Sequence, residues 1–330
     1  MVFVYRVSCI VYRDSGFFRA RSISMKILIT GGAGFIGHHV ARMLAEKAEI
    51  VVLDDLSSGR PERLNSIPCR LIQAHMEDLK AVIEAAQGCD GIIHLAAFMN
   101  VAESIDRPTA CFESNILGML HALEASRVQE KKPHVIFASS SAVYGRADSH
   151  VQSEETPCVP RSAYGASKLH AEKLGQFYHE AYGVPVSILR FFNVYGPGQS
   201  ADGAYAAVIP RWMAQAARGE PLVLFGDGSQ TRDFVHVNDV VRAIEFLIRM
   251  PEAAGPFNVG TNKAISMTDL AQRILRVTKS RSQILYQPAR TGEVVHSCAD
   301  ITRLRALGFT PKVTLQDGLA ELEQFRFEKY

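Results

Sequence analysis

The chain reads as an α/β protein: a doubly wound parallel sheet with a smaller, interleaved α/β lobe. Three observations predict this. From Lys26 to about Gly196, short continuous apolar runs alternate with segments of helical periodicity, the signature of strands buried on both faces. A glycine-rich turn, TGGAGFIG (30–37), joins the first run to the first helix. After about Gly196 the rhythm changes to Gly-, Pro- and Ser-containing loops with intervening helices, which marks the second lobe.

The elements follow in order. KILITGG is a strand, and FIGHHVARMLAEK carries Ile36, Val40 and Leu44 on one helical stripe. EIVVLDDL is a second strand. CRLIQAHM with DLKAVIEAAQG, and DGIIHLAAF with PTACFESNILGMLHALEASRV, make two further strand–helix pairs. HVIFASSS leads through a polar loop to a helix beginning AYGASK, and PVSILRFFNVYG closes the first lobe. Beyond it, IPRWMAQAARG, VNDVVRAIEFLIRM, MTDLAQRILRV and TLQDGLAELEQF have helical spacing, with Ser266 as the expected cap of the third. The predicted division is a leader over 1–24, a nucleotide-binding domain over 25–191 and a second lobe over 192–330, with 230–260 returning to the first domain.

The chain has 330 residues, 47% hydrophobic and 21% charged, ample for a large core. Its formal charge is +2, but Arg6, Arg13, Arg19 and Arg21 against Asp14 give the leader +3, leaving −1 for the rest. That balance gives no case for nucleic-acid binding. The six cysteines are scattered without CxxC, as in a reduced cytoplasmic protein, and the histidines lack metal-ligand spacing, so no metal is expected. With no run of 18 apolar residues, no membrane span is expected. The Arg-rich leader resembles a transit peptide, but Met25 directly before KILITGG favours an over-long start.

Gly31, Gly34 and Gly37 sit between strand and helix, where glycine permits a tight turn, close approach of a pyrophosphate and close helix–sheet packing. The helix N-terminus adds free N–H groups and partial positive charge. The second strand ends at Asp54, 23 residues after Gly31, where a carboxylate bonds ribose hydroxyls and repels a 2′-phosphate. A ligand-free turn would leave that spacing unexplained; the prediction is a Rossmann-type domain binding NAD in preference to NADP. Tyr164 and Lys168, four apart in AYGASKLHAEKLGQF, share one helix face. Alone, such a pair could be an ordinary surface feature.

TGGAGFIG, LDDLSSG, HLAA, SSSAVYG, YGASK, RFFNVYGPG, FGDGSQTRDFVHVNDV and FNVGT occur in that order. Together they resemble the extended short-chain dehydrogenase/reductase superfamily in its NAD-dependent epimerase/dehydratase branch, over about residues 25–325, with the greatest similarity to UDP-glucose 4-epimerases. The resemblance implies NAD contacts at Gly31, Gly34, Phe35, Ile36, Gly37, Asp54, Asp55, His75, Met76, Leu95, Ala96, Ala97, Tyr164 and Lys168. It implies a general base at Tyr164, its pKa drawn from about 10 toward neutrality by Lys168 and the nicotinamide charge. It also implies a UDP-sugar substrate held by Asn115, Ser140, Tyr164, Asn193, Val208, Phe225, Arg232, Arg290, Glu293 and Ser297, and a homodimer formed through helices near 108–128 and 163–181. The implied chemistry is redox-neutral inversion at C4 through a 4-ketose.

The serine run selects among reactions. Dehydratases of the family read Thr-Asp-Glu before a similar Val-Tyr-Gly, and decarboxylases keep the glutamate; here Ser140, Ser141 and Ala142 occupy those positions. Alanine carries no proton, so elimination lacks its base and epimerisation is expected. Ser140 is the expected catalytic hydroxyl, with Ser139 as a register-shifted rival. A small Ser297 leaves room for a 2-acetamido group, so UDP-N-acetylglucosamine stands beside UDP-glucose, with UDP-glucuronate also open. A non-catalytic NAD sensor is the rival of another class, disfavoured by the intact Ser140, Tyr164 and Lys168. The chain departs from its relatives at Ala74-His75, where Gly-Asp is common near adenine, and at Met99, where a polar residue is common.

Overall fold

The computed structural model describes residues 25–145, 149–201, 206–289 and 294–325. The first half winds as expected: β1 (Lys26–Thr30), α1 (Phe35–Leu44), β2 (Glu49–Asp54), β3 (Cys69–Gln73), α2 (Leu79–Ala86) and β4 (Gly91–His94). The long helix expected over 108–128 is broken. It follows the short α3 (Glu103–Asp106) and runs as α4 (Pro108–Phe112), one π-helical turn (Glu113–Leu117) and α5 (Gly118–Arg127). Then come β5 (His134–Ser140), α6 (Ala163–Tyr182), β6 (Val186–Phe191) and β7 (Asn193–Tyr195). The remainder is α7 (Val208–Ala217), β8 (Leu222–Phe225), β9 (Thr231–His236), α8 (Val237–Ile248), β10 (Gly255–Val259), β11 (Ala264–Ser266), α9 (Met267–Val277), β12 (Ile284–Gln287), β13 (His296–Ser297), α10 (Thr302–Ala306) and α11 (Leu315–Gln324).

The main sheet has seven strands in the order β10-β6-β5-β4-β1-β2-β3, each pair parallel. Alternate residues of its strands enter opposite cores. Ile27, Ile29, Val52, Ile93 and Ile136 pack with α1 and α8 on one face. Leu28, Val51, Leu53, Ile92, Val135 and Phe137 pack with α2, α5 and α6 on the other. Each such side chain, fully buried, contributes about 1.5–3 kcal/mol, which explains why these strands read as unbroken apolar runs.

A third core, around Trp212, Leu222, Phe234, Leu270 and Leu319, holds the second lobe. Its β9 pairs with β11, β13 and β7, and β8 pairs with β12. The chain re-enters the first lobe at α8, after β9, and β10 completes the edge of the main sheet.

Candidate active site

The candidate residues of the first lobe lie at the carboxyl ends of the main-sheet strands, where open α/β sheets bind ligands. Between β1 and β4 the winding reverses direction, and the glycine turn lies there. Gly31 has φ +69° and its amide donates to the Leu53 carbonyl at 2.8 Å. A Cβ on Gly31 would stand 2.7 Å from the Ala96 nitrogen, so the turn is pressed against Leu95-Ala96, just before Ala97. On Gly37 a Cβ would lie 2.1 Å from the Gly31 carbonyl oxygen. Gly34 caps α1 without a side chain, and the first turn carries no acid. The α1 N-terminus, with Phe35 and Ile36, is therefore left to an anion from outside the helix, which fits a pyrophosphate.

Asp54 ends β2, almost fully buried. Its Oδ2 accepts from the Ala33 amide and its Oδ1 from the Leu56 amide, both at 2.9 Å. Burial pushes this carboxyl up, while the two amides pull it down. It thus braces the glycine turn and keeps lone pairs available for ribose hydroxyls. Asp55 accepts from the Ser57 amide and hydroxyl and lies 3.4 Å from the exposed His75 ring. Met76 is buried in the core, and its carbonyl accepts from His121 at 2.7 Å.

Ser140, Tyr164 and Lys168 come together where β5 meets the first turns of α6. Ser162 starts that helix, its hydroxyl accepting from the Gly165 amide at 3.0 Å. The Tyr164 amide donates to Ser104 Oγ at 3.1 Å. Lys168 is 3% exposed; its Nζ donates to the Ala138 carbonyl at 2.8 Å and lies 4.9 Å and 5.9 Å from the ring centroids of Phe137 and Tyr164. Ser140 Oγ accepts from the Ala142 amide at 3.2 Å.

The electrostatics differ from expectation. Burial pushes the Tyr164 phenol up, and the influence that lowers it is hydrogen bonding to Ser140. Lys168 is itself brought down to about 8 by burial. In the protein alone the lysine therefore does not draw the tyrosine toward neutrality. The same dry surroundings that orient the pair penalise both charges.

Asn115 lies in the π-helical turn, 1% exposed. Its Oδ1 accepts from the Phe98 amide at 2.8 Å, and its Nδ2 donates to the Phe98 carbonyl at 3.2 Å and to Ser167 Oγ at 2.8 Å. With both ends of its amide engaged by the protein, Asn115 steadies the segment after β4 against α6. The π-turn rotates this side chain out of α-helical phase.

Asn193, Arg232 and Ser297 lie on adjacent strands of the second lobe. Ser297 pairs with Arg232 in register, and Asn193 pairs with Phe234. Arg232 donates to the Thr231 carbonyl at 2.9 Å. Val208 opens α7, and Phe225 ends β8, its carbonyl accepting from Gln230 at 2.7 Å. Arg290 and Glu293 lie outside the described residues.

Sequence reasoning missed a buried polar group behind the site: Glu172, Arg190, Tyr144, Asn258 and Gln152. Two signals were available. Glu172 follows Lys168 at the spacing that separates Lys168 from Tyr164, and Arg190 is a lone charge inside the apolar strand VSILRF. Such a charge, buried, requires a partner.

Comparison with known proteins agrees with this geometry. Residues 27–260 match the model of the NAD dependent epimerase/dehydratase family. A UDP-glucose 4-epimerase of Mycolicibacterium smegmatis is 35% identical over 315 residues, 91% of this chain and 98% of the relative. The solved UDP-N-acetylglucosamine 4-epimerase of Methanobrevibacter ruminantium M1, in complex with UDP-N-acetylmuramic acid, superposes with a TM-score of 0.88 at 33% identity, covering 91% of this chain and 97% of that one. A UDP-N-acetyl-alpha-D-glucosaminuronate decarboxylase of Bacillus cytotoxicus is 32% identical over 317 residues, 91% of this chain and 97% of the relative. With the glycine turn, Asp54 and the Tyr164–Lys168 face in place, the chain belongs to the NAD-dependent epimerase/dehydratase family of enzymes.

Proposed function

We propose that the protein is a nucleotide-sugar 4-epimerase, interconverting UDP-glucose with UDP-galactose and UDP-N-acetylglucosamine with UDP-N-acetylgalactosamine. The observation that carries this reading is the composition of the Ser140–Tyr164 corner. A hydroxyl and a phenol face each other, Lys168 stands one turn behind, and the two residues that follow Ser140 are Ser141 and Ala142 rather than acids. Deprotonation of a sugar hydroxyl is provided for; elimination of water is not.

NAD, when bound, supplies a reversible two-electron acceptor for the hydrogen on C4. Tyr164, as phenolate, takes the proton of the C4 hydroxyl. Ser140 holds the reacting oxygen by a hydrogen bond and keeps the phenol and sugar aligned. Lys168 provides the cationic wall, and its buried hydrogen bond to Ala138 fixes its position. Inversion then requires the 4-ketose to present its opposite face while the nucleotide stays held. In this reading Arg232 and Asn193, with Arg290 and Glu293, grip the uridine diphosphate, and guanidinium suits phosphate by its paired donors. Phe225 and Val208 flank the uracil, and Ser297 leaves space at C2 of the sugar. A cytoplasmic homodimer belongs to the same proposal: Cys69, Cys89, Cys111, Cys158 and Cys298 are free thiols, and Leu117 and Phe177 expose apolar surface near the two helices named for pairing.

A UDP-uronate is the second reading for the substrate, favoured by the likeness to an enzyme named for a uronate. The test uses protein starting at Met25, incubated separately with UDP-glucose, UDP-N-acetylglucosamine and UDP-glucuronate while anomeric protons are followed by NMR. A 4-epimer growing to equilibrium is the expected result, and relative rates rank the sugars. No conversion with NAD added, while UDP still binds, refutes the reading.

A further inference from the structure

The face of α6 that carries Tyr164 and Lys168 continues one turn to Glu172, which is 0% exposed. Ser139, the residue before Ser140, donates its hydroxyl to Glu172 Oε1 at 2.5 Å. Arg190 forks onto the same carboxylate, Nε to Oε1 at 3.0 Å and Nη2 to Oε2 at 2.7 Å. Ser139, Arg190 and Asn258 are register partners across β5, β6 and β10. From Arg190 the bonds continue: Nη1 donates to Tyr144 Oη at 3.0 Å, and Tyr144 donates to Asn258 Oδ1 at 2.6 Å. The Asn258 amide donates to the Gln152 carbonyl at 2.9 Å, and Gln152 Oε1 accepts from the amide of Cys298, which follows Ser297, at 3.0 Å. A buried chain of hydrogen bonds, passing through the body of Gln152, thus joins the neighbour of Ser140 to the neighbour of Ser297.

Stability alone does not explain such a chain, since replacing a buried ion pair by apolar residues of similar volume is often neutral or stabilising. Its position is more informative. Lys168 faces the Tyr164 phenol and Glu172 from its own helix, Cys111 from α4, His94 from β4 and the Ala138 carbonyl of β5. Burial holds His94 neutral, bringing it down to about 3. Glu172, one turn beyond Lys168 on α6, is the carboxylate beside the lysine, and after Cys111 it acts in the direction of keeping the ammonium.

We propose that Glu172, gripped by Arg190 and tied through Tyr144, is a positioning residue that fixes the Ser140 end of β5 against the Tyr164–Lys168 face, supplies the counter-charge for Lys168, and links both to the strand of Ser297. The inference rests on the epimerase reading for its role in turnover, but not for its charge.

The first experiment follows the Lys168 Nζ titration by NMR in lysine-labelled protein, the resonance assigned with Lys168→Met. Glu172→Gln should move that titration to lower pH by about one unit, and a purely structural role would leave it unmoved. The second measures Tyr144→Phe, which removes one hydroxyl and leaves the Glu172–Arg190 pair whole. Its kcat should fall about tenfold with KM held within about twofold. An unmoved Lys168 titration in Glu172→Gln, or wild-type kcat in Tyr144→Phe, overturns the proposal. If Glu172→Gln does not fold, the Tyr144→Phe kinetics decide alone. A shifted titration in a protein that converts no UDP-sugar overturns the epimerase reading and leaves the counter-charge standing.

Discussion

Alanine at Gly37 sets two effects of known size against each other. Within a helix, Gly→Ala stabilises by up to about 1 kcal/mol. Here the added Cβ would lie 2.1 Å from the Gly31 carbonyl oxygen and 2.6 Å from the Gly32 Cα. Both are backbone atoms, so no side chain can swing away, and overpacking of this kind costs about 1–3 kcal/mol. At the upper end the net loss is about 2 kcal/mol. Unfolding entropy of about 2.1 cal/mol/K per residue makes this about a 3 °C fall in Tm. The larger effect falls on the cofactor. Relieving the clash pushes the α1 N-terminus about 1 Å away from the turn, out of hydrogen-bond reach of the pyrophosphate. Two lost bonds to a charged acceptor, at about 1.5–3 kcal/mol each, weaken NAD binding by at least about a hundredfold. Gly118→Ala is the internal control, because its Cβ, also on a helix, would meet its nearest neighbours at an ordinary 3.5 Å. Calorimetric NAD titration and thermal melts of both variants check the argument. A Gly37→Ala protein that binds NAD within about threefold of wild type, with Tm unchanged or raised, would refute it.

Removing the phenolic hydroxyl in Tyr164→Phe should lower kcat by about 10²–10⁴ while NAD binding stays intact; parallel loss of bound NAD would point to misfolding instead. Asp54→Asn should narrow the discrimination between NAD and NADP, read by titrating both. It should also destabilise the fold by about 1–3 kcal/mol, because the carboxylate accepts from Ala33 and Leu56 and an amide NH2 cannot. Acid stability should follow the buried histidines. Burial brings His38, His134 and His236 down to about 4 and His94 to about 3, from 6.5. The unfolded chain takes up these protons first, so stability is full above about pH 6.5 and is lost as pH falls through about 4. Asp54 and Asp233, pushed up by burial, act in the opposite sense above the ordinary carboxyl value of 3.8. Urea melts across this range should show midpoints falling with pH, and flat midpoints would contradict the assignment.

What the sequence revealed and what it hid divide along physical lines. The glycine turn, Asp54 and the Tyr164–Lys168 face were legible because each is set by local chain geometry: a φ of +69° at Gly31, a strand end, one helical turn. The parallel sheet was legible because burial on both faces leaves no polar alternation. The π-turn at Glu113–Leu117 was not, because apolar residues around it fit an uninterrupted helix equally well. The chain of Ser139, Glu172, Arg190, Tyr144 and Asn258 was hidden for another reason. Its members come from three strands, a helix and a loop, and only tertiary register brings them to one level. The direction of the Tyr164 shift was likewise out of reach, since it depends on how dry the site is.

The interleaving of the lobes bears on motion. Counted by strands, the chain passes from the main sheet to the second lobe at β7, back at β10 and out again at β11. Three threads therefore run between the halves, and Arg63 and His39 stitch the first of them to the cofactor side by bonds to the Gly198 and Pro197 carbonyls at 2.8 and 2.9 Å. Any parting of the lobes must therefore bend all three threads together and break those two bonds. In the epimerase reading, the least costly way to exchange substrate and turn a bound sugar is then local yielding around the cleft.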